Sequence, residues 1–371
     1  MNIYEQEVGL PVHELDTPAL LLDIAAVERN INKMADFARQ AGVALRPHAK
    51  IYKGTPIFAW MQLRAGAIGL TVSKVSEAEL LASGGIRDIL IANQVVGAGK
   101  IRRLVNLAAY TQIIVAVDSP VNVQQLSLAA QAKGVTVGVL VEVNIGNNRC
   151  GVEPFEPALA LAQVVHNSPG LAFRGLMGYD GHLIFIKDFA DRDRRSEQGY
   201  RLLAETRRFI ENAGLPVEIV SGGGSVTYKS ASSVPGITEL QVGTYIFMDT
   251  TYRELDLSDF ECTLSMLATV ISRPDRPGAE DLAILDIGRK AIDLTYGFPK
   301  VKHPTGEIIS MPQEHSRLKL QTPGPDPRIG EKVELWVGDS NGTVNLHDKI
   351  YVIRNAVVEA VWDISGRGKV T

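Results

Sequence analysis

The chain has 371 residues, 45% hydrophobic and 22% charged, enough for one large domain plus a smaller one. A net charge of −4, without a basic tail or stripe, argues against a nucleic-acid partner, and no apolar run is long enough to cross a membrane. Two distant cysteines, Cys150 and Cys262, exclude a disulfide framework and a cysteine zinc site; with a start at residues 1–7 that lacks both the basic and the apolar part of a signal peptide, they point to the cytoplasm.

From residue 17 to about 224, short apolar runs alternate with helical periodicity. The runs at 19–24, 44–48, 67–72, 88–92, 112–117, 136–143, 171–178 and 216–220 read as strands. Stretches such as 25–41, 75–83, 121–133, 157–166 and 194–213 read as helices. Eight strand–helix units predict an α/β fold, a (β/α)8 barrel over residues 17–255. A doubly wound sheet is the rival, but it seldom runs to eight uninterrupted repeats.

Beyond residue 255 the helical periodicity disappears. Short β-rich runs at 265–271, 282–286, 332–337, 350–354 and 357–362 are separated by turns such as Gln321-Thr322-Pro323-Gly324-Pro325-Asp326-Pro327. This predicts an all-β domain over 256–371, with residues 1–16 packing on it.

In barrels the chemistry gathers at the C-terminal strand ends. The expected ends carry His48 and Lys50, then Thr71-Val72-Ser73, then Asn144 with Arg149 beyond it, then Tyr179-Asp180-Gly181-His182, and finally Ser221-Gly222-Gly223-Gly224-Ser225. Taken alone, a strand-end lysine is a solvated charge and a triple glycine is a turn. Together they suggest an amine that condenses with an aldehyde and a glycine cup whose amides receive a phosphate, with Gly243-Thr244-Tyr245 adding donors. That pair of features is what pyridoxal phosphate requires. Arg149 would face the cofactor ring, or else pair with Glu142; Tyr179 would pack on the ring or bond the lysine, or simply fill space.

Arg46-Pro47-His48-Ala49-Lys50 resembles the lysine motif of fold-type III pyridoxal-phosphate enzymes of the D-threonine aldolase and D-serine dehydratase group. Val75-Ser76-Glu77-Ala78-Glu79, Arg149-Cys150-Gly151-Val152, Ser221-Gly222-Gly223-Gly224, the segment 239–249, Thr343-Val344-Asn345-Leu346 and Gly366-Arg367-Gly368-Lys369 resemble further motifs of that group, in the same order. The resemblance implies an alanine-racemase-type barrel followed by a β-domain, in a head-to-tail homodimer. It implies that Lys50 holds the cofactor and that Ser73, Ser225, Gly243, Thr244 and Tyr245 contact it. The substrates it implies are D-configured 3-hydroxy amino acids, cleaved by retro-aldol chemistry or stripped of water and ammonia.

Two departures stand out. The group carries His-x-Asp or His-x-Cys as a metal pair before Thr-Val-Asn; this chain has Asp339 and Asn341 there. Two oxygen donors disfavour zinc and suit Mg²⁺ or Mn²⁺ weakly at best. Aldolase members also place a histidine where Phe185 stands, whereas His182 is nearer the dehydratase arrangement. Retro-aldol cleavage to glycine and an aldehyde, with His182 or His48 as base, is the leading reading. A D-serine or 3-hydroxy-D-aspartate dehydratase with Lys50 taking the α-proton, an amino-acid racemase or epimerase, and a non-catalytic cofactor carrier are the alternatives; the long β-domain weighs against the last.

Overall fold

The computed structural model describes residues 7–255, 259–324 and 326–371. Residues 256–258, at the expected domain boundary, and Pro325 of the expected 321–327 turn lie outside the described residues. The chain divides into two compact units. One comprises 32–50, 54–243 and 369–371; the other comprises the described residues of 7–31, 51–53 and 244–368.

The strands of the N-terminal two-thirds are β1 (Ala19–Asp23), β2 (Ala44–Leu45), β3 (Leu70–Val72), β4 (Asp88–Gln94), β5 (Gln112–Val117), β6 (Val137–Glu142), β7 (Leu171–Met177), β8 (Ile219–Gly222) and β9 (Glu239–Leu240). Between them run helices α1 (Ile24–Ala41), α2 (Pro56–Arg64), α3 (Val75–Ser83), α4 (Ala98–Leu107), α5 (Pro120–Lys133), α6 (Glu156–His166), α7 (Phe189–Asn212) and α8 (Tyr228–Ser233). Strands β2 to β9 form one parallel sheet in the order β2-β9-β8-β7-β6-β5-β4-β3. Its strands are sandwiched between core and helices, so they read as unbroken apolar runs; all six residues of β6 are buried. Local punctuation fits: α5 opens on Pro120 and stops at Gly134, whose φ of 70° is left-handed.

The sheet curls until its edges meet, giving the expected (β/α)8-type barrel. Two amides, Ile68 N–H to Leu45 O at 2.9 Å and Thr71 N–H to Pro47 O at 2.8 Å, and a parallel bridge between His48 and Thr71 close the seam. Leu90, Ile114, Ala116, Leu140, Met177 and Ile219 fill part of the interior.

One expected strand lies elsewhere. The 19–24 run, read as the first barrel strand, is β1 of the second sheet, antiparallel to β10 (Leu264–Ser272) and parallel to a strand near the C-terminus. The barrel's eighth strand is the two-residue β9 instead. The remaining strands are β11 (Leu282–Leu285), β12 (Lys300–His303), β13 (Gly306–Ser310), β14 (Ser316–Leu320), β15 (Lys332–Trp336), β16 (Lys349–Arg354) and β17 (Val357–Asp363). They order as β13-β14-β11-β10-β1-β16-β17, with β15 pairing β10 and β12. Two short helices, α9 (Thr250–Glu254) and α10 (Ser340–Val344), belong to the same unit. Within this unit residues 9 and 10 hydrogen-bond to Val358. Among the described residues no helix is long and apolar enough to cross a membrane.

A buried ion pair pins the barrel seam. Arg46, just past β2, places Nε 3.0 and 3.2 Å from the two carboxylate oxygens of Glu239 on β9, and its Nη1 bonds Asp88 on β4. Both Arg46 and Glu239 side chains are only 3% exposed. Gly69 makes room for this arginine, because a Cβ there would lie 2.4 Å from Nη1. Removing one partner of such a pair leaves an uncompensated buried charge. Arg46→Met is therefore expected to lower the unfolding free energy by about 3–5 kcal/mol in urea titration; a loss under about 1 kcal/mol would contradict this account of the seam.

Candidate active site

Strand β2 continues past Arg46 through His48, whose N–H bonds Val242 O at 2.9 Å. A 3₁₀ turn, Ala49–Tyr52, follows at once and begins with the Lys50 segment. Lys50 Nζ lies 5.9 Å from the centroid of the Tyr179 ring, beyond β7, and the Arg149 guanidinium carbon lies 5.3 Å from the same ring. Three expected site residues from three strand ends thus converge. Burial, then the charge of Arg149, lowers the Lys50 pKa from its ordinary 10.5, while Glu77 opposes the shift. The result is an amine with more of its neutral, nucleophilic form near neutral pH.

His48 is placed differently from a free base. Its Nδ1 accepts from the Lys50 N–H at 3.3 Å, which leaves the proton on Nε2, 3.4 Å from Ser73 Oγ. Burial, then Lys50 and Arg149, holds its pKa well below the ordinary value, so the ring is neutral. Ser73 is fixed in turn, since Glu77 accepts from the N–H groups of Ser73 and Lys74 at 2.8 and 3.0 Å. His182, the other expected base, is exposed on the 3₁₀ turn Gly181–Phe185 and lies against Gly146. Arg149 also approaches Glu142 at 3.9 Å, the pairing weighed for it as the alternative role.

The glycine cup has a different anatomy from three converging amides. Gly223, with φ of 80°, occupies a position where a Cβ would sit 2.7 Å from Leu240 Cδ2. Its N–H donates to Tyr200 Oη at 2.6 Å, so it does not point at an anion. Tyr200 in turn donates to Asp180 Oδ1 at 3.1 Å, and Asp180 also accepts from Thr227 at 3.1 Å and Ser196 at 2.8 Å. All four side chains are buried. Burial raises the pKa of Asp180 and raises that of Tyr200 well above normal, so the phenol stays protonated and donates. Gly224 reaches Thr227 Oγ1 only at 3.3 Å. Gly224 lies on the rim beside the Tyr179 ring, where a Cβ would make ordinary contact with Cε2 at 3.6 Å. Ser225 is buried in the same loop, and Gly243 packs against the His48 carbonyl, which a Cβ would approach to 3.1 Å. Thr244 and Tyr245 belong to the other unit; the Thr244 carbonyl receives the Phe247 and Met248 amides, and Tyr245 packs edge-on against Phe260. An amine of lowered pKa, a cation facing an aromatic ring and an open glycine rim suit an aldehyde that carries an anion. Glu77, Asp180, Ser196, Tyr200 and Thr227 had no assigned role in the sequence, because each acts on a neighbour held through the fold.

The residues at the expected metal pair do not fit a divalent ion. Asp339 is the N-cap of α10, its Oδ1 accepting from the N–H groups of Asn341 and Gly342 at 2.8 and 3.1 Å. Asn341 Oδ1 accepts from Lys53 Nζ at 2.6 Å. A Mg²⁺ on that oxygen would lie within about 5 Å of the ammonium, a repulsion of about 7 kcal/mol at an effective dielectric of 20. Among the described residues no group of three or more histidine, cysteine or carboxylate side chains is arranged to hold a metal.

A parallel barrel with a strand-end lysine and an attached β-unit defines a class, and comparison with known proteins supplies its family. Residues 22–251 match the alanine racemase N-terminal domain model and residues 263–353 match the putative serine dehydratase domain. The chain belongs to the alanine racemase N-terminal domain family, in the branch that carries the serine dehydratase domain. It is 38% identical to a D-threonine aldolase of an Arthrobacter species, over 97% of this chain and 95% of that one. The crystal structure of D-threonine aldolase from Filomicrobium marinum superposes with a TM-score of 0.93 at 36% identity, covering 98% of each chain. A metal-free mutant form of D-threo-3-hydroxyaspartate dehydratase superposes with a TM-score of 0.86 at 25% identity, covering 95% of this chain and 98% of that one.

The Tyr200–Gly223 contact is open to direct test. Tyr200→Phe strips a buried amide of its acceptor and should lower the unfolding free energy by about 1–3 kcal/mol. Chemical denaturation of both forms measures this, and equal stability would show that the cup does not lean on Tyr200.

Proposed function

We propose that the protein is a pyridoxal-phosphate-dependent lyase that cleaves D-configured 3-hydroxy amino acids to glycine and an aldehyde. The carrying observation is Lys50, an amine of lowered pKa at a barrel strand end, grouped with Tyr179 and Arg149. Similarity to D-threonine aldolases over nearly the whole chain supports the aldolase reading over the more distant dehydratase.

In this reading Lys50 would hold the cofactor, with Tyr179 and Arg149 beside the amine and Gly224, Ser225 and Gly243 as the residues of the same unit available to its phosphate. The bound cofactor supplies the electron sink that takes up the charge left on the α-carbon. A guanidinium such as that of Arg149 near the cofactor ring would disfavour a second positive charge there. His48, neutral and bonded on both nitrogens, orients Ser73 and the Lys50 backbone. His182, exposed on its turn, is the side chain assigned to take the β-hydroxyl proton. Departure of a hydroxide, as dehydration requires, gains most from an electrophilic metal, and Asp339 and Asn341 do not fit one.

Purified protein loaded with cofactor should yield glycine and the matching aldehyde from D-threonine and other D-3-hydroxy amino acids, and nothing from the L-forms. Keto acid and ammonia as products would replace the aldolase reading with a dehydratase, and inversion alone would replace it with a racemase. Lys50→Ala should lose the borohydride-reducible visible absorbance and at least about 10³-fold in turnover.

The Lys50 pKa gives a pH test. An amine must be neutral to capture an aldehyde, so cofactor uptake by the stripped protein should rise with pH through the lowered Lys50 pKa. Arg149→Met removes the second of its two depressing causes and leaves burial in place. The rise should therefore move to higher pH in the variant, followed by rapid-mixing absorbance. An unmoved or downshifted rise would contradict the assigned electrostatics.

A further inference from the structure

The Lys53–Asn341 contact, which argues against a divalent ion at Asn341, also has a constructive side. Lys53 is a non-glycine residue with φ of 56°, in the left-handed region, and Gly54 follows at 68°. A lysine gains nothing locally from that backbone state, so the surrounding fold must impose it. The turn is fixed by the Gly54 N–H bonding Ala49 O at 2.9 Å. The half-buried ammonium it delivers sits 2.6 Å from Asn341 Oδ1, across 288 residues of sequence. Asn341 lies in α10, which is anchored from both sides: Asp339 caps its amides, and Ser340 donates through N–H and Oγ to buried Asp249 at 3.1 and 2.9 Å. Asp293 packs on Gly342, where a Cβ would meet its carboxyl carbon at 2.4 Å. Three carboxylates thus surround a segment whose half-buried amide oxygen receives a lysine.

We propose that Lys53 is the resident cation of this locus. A covalently attached ammonium holds the place that an exchangeable metal occupies when a metal-binding pair precedes Thr-Val-Asn. The positive charge there is then independent of free divalent ion, and the protein takes none up at Asp339 and Asn341. The inference rests on the lyase-family correspondence of those two positions, but not on which substrate is cleaved.

Mn²⁺ binding to the cofactor-loaded protein, without substrate, separates it from the proposed reaction. Electron paramagnetic resonance titration counts free Mn²⁺, while far-ultraviolet circular dichroism and the cofactor absorbance report an intact fold. Wild type and Lys53→Arg, which both keep the charge, should bind no stoichiometric Mn²⁺ at 1 mM, on the scale of weak oxygen-ligand sites. Lys53→Met should bind at least tenfold more tightly than wild type, and the gain should vanish when Asp339→Ala is added. One Mn²⁺ held per wild-type chain and lost in Asp339→Ala would overturn the proposal. So would a folded Lys53→Met that binds no better than wild type.

Discussion

The barrel depends on how its seam closes. Strand β2 meets β9 over only two residue pairs, Ala44 with Glu239 and Leu45 with Leu240. So short a ladder would be weak without the buried guanidinium of Arg46, which ties Glu239 on one side and Asp88 on the other. The Thr71 hydroxyl adds a bond to the Arg46 carbonyl at 2.8 Å. The segment so clamped is the one that runs on into His48 and Lys50. An ion pair of doubtful net worth against an apolar substitute still fixes register, and here register decides where the reactive amine points.

The second constraint is electrostatic. Lys50, Arg149 and a half-buried His48 share one neighbourhood, with the Glu77 carboxylate only partly opposing the effect of burial and Arg149 on Lys50. Burial, with the Arg149 charge behind it, lowers the Lys50 pKa and holds that of His48 well below its ordinary value. Such crowding costs more in a desolvated rim than it would on a solvated surface. It is sustained by the apolar parallel strands beneath it, which supply the stability that the rim lacks.

Much of this was legible in the sequence because parallel strands buried on both faces leave unbroken apolar runs, and their ends could be counted. Lys50, Tyr179 and Arg149 were found that way. The same signal misled at Ala19–Leu22, since a core strand of the second sheet leaves the same run as a barrel strand. The two-residue β9 was invisible, its Glu239 looking like a loop residue until paired with Arg46. The commitment of the Gly223 amide to Tyr200 could not be read either, because a backbone hydrogen bond leaves no mark on residue identity. Lys53 and Asn341 are too far apart in sequence for any local pattern to join them.

The strand that strayed from the barrel also bears on how the molecule is made. The partners of β1, the strands β10 and β16, are synthesised 240 or more residues after it. The barrel unit has nearly all its strands in hand by residue 243 and can assemble while the rest is still being translated. Once β10 is out one edge of β1 can be filled, but the other waits for β16, and pairings so distant in sequence are the slowest to form. The nascent chain therefore carries an apolar strand with an open edge while the second unit is being made, a hazard that the finished protein conceals.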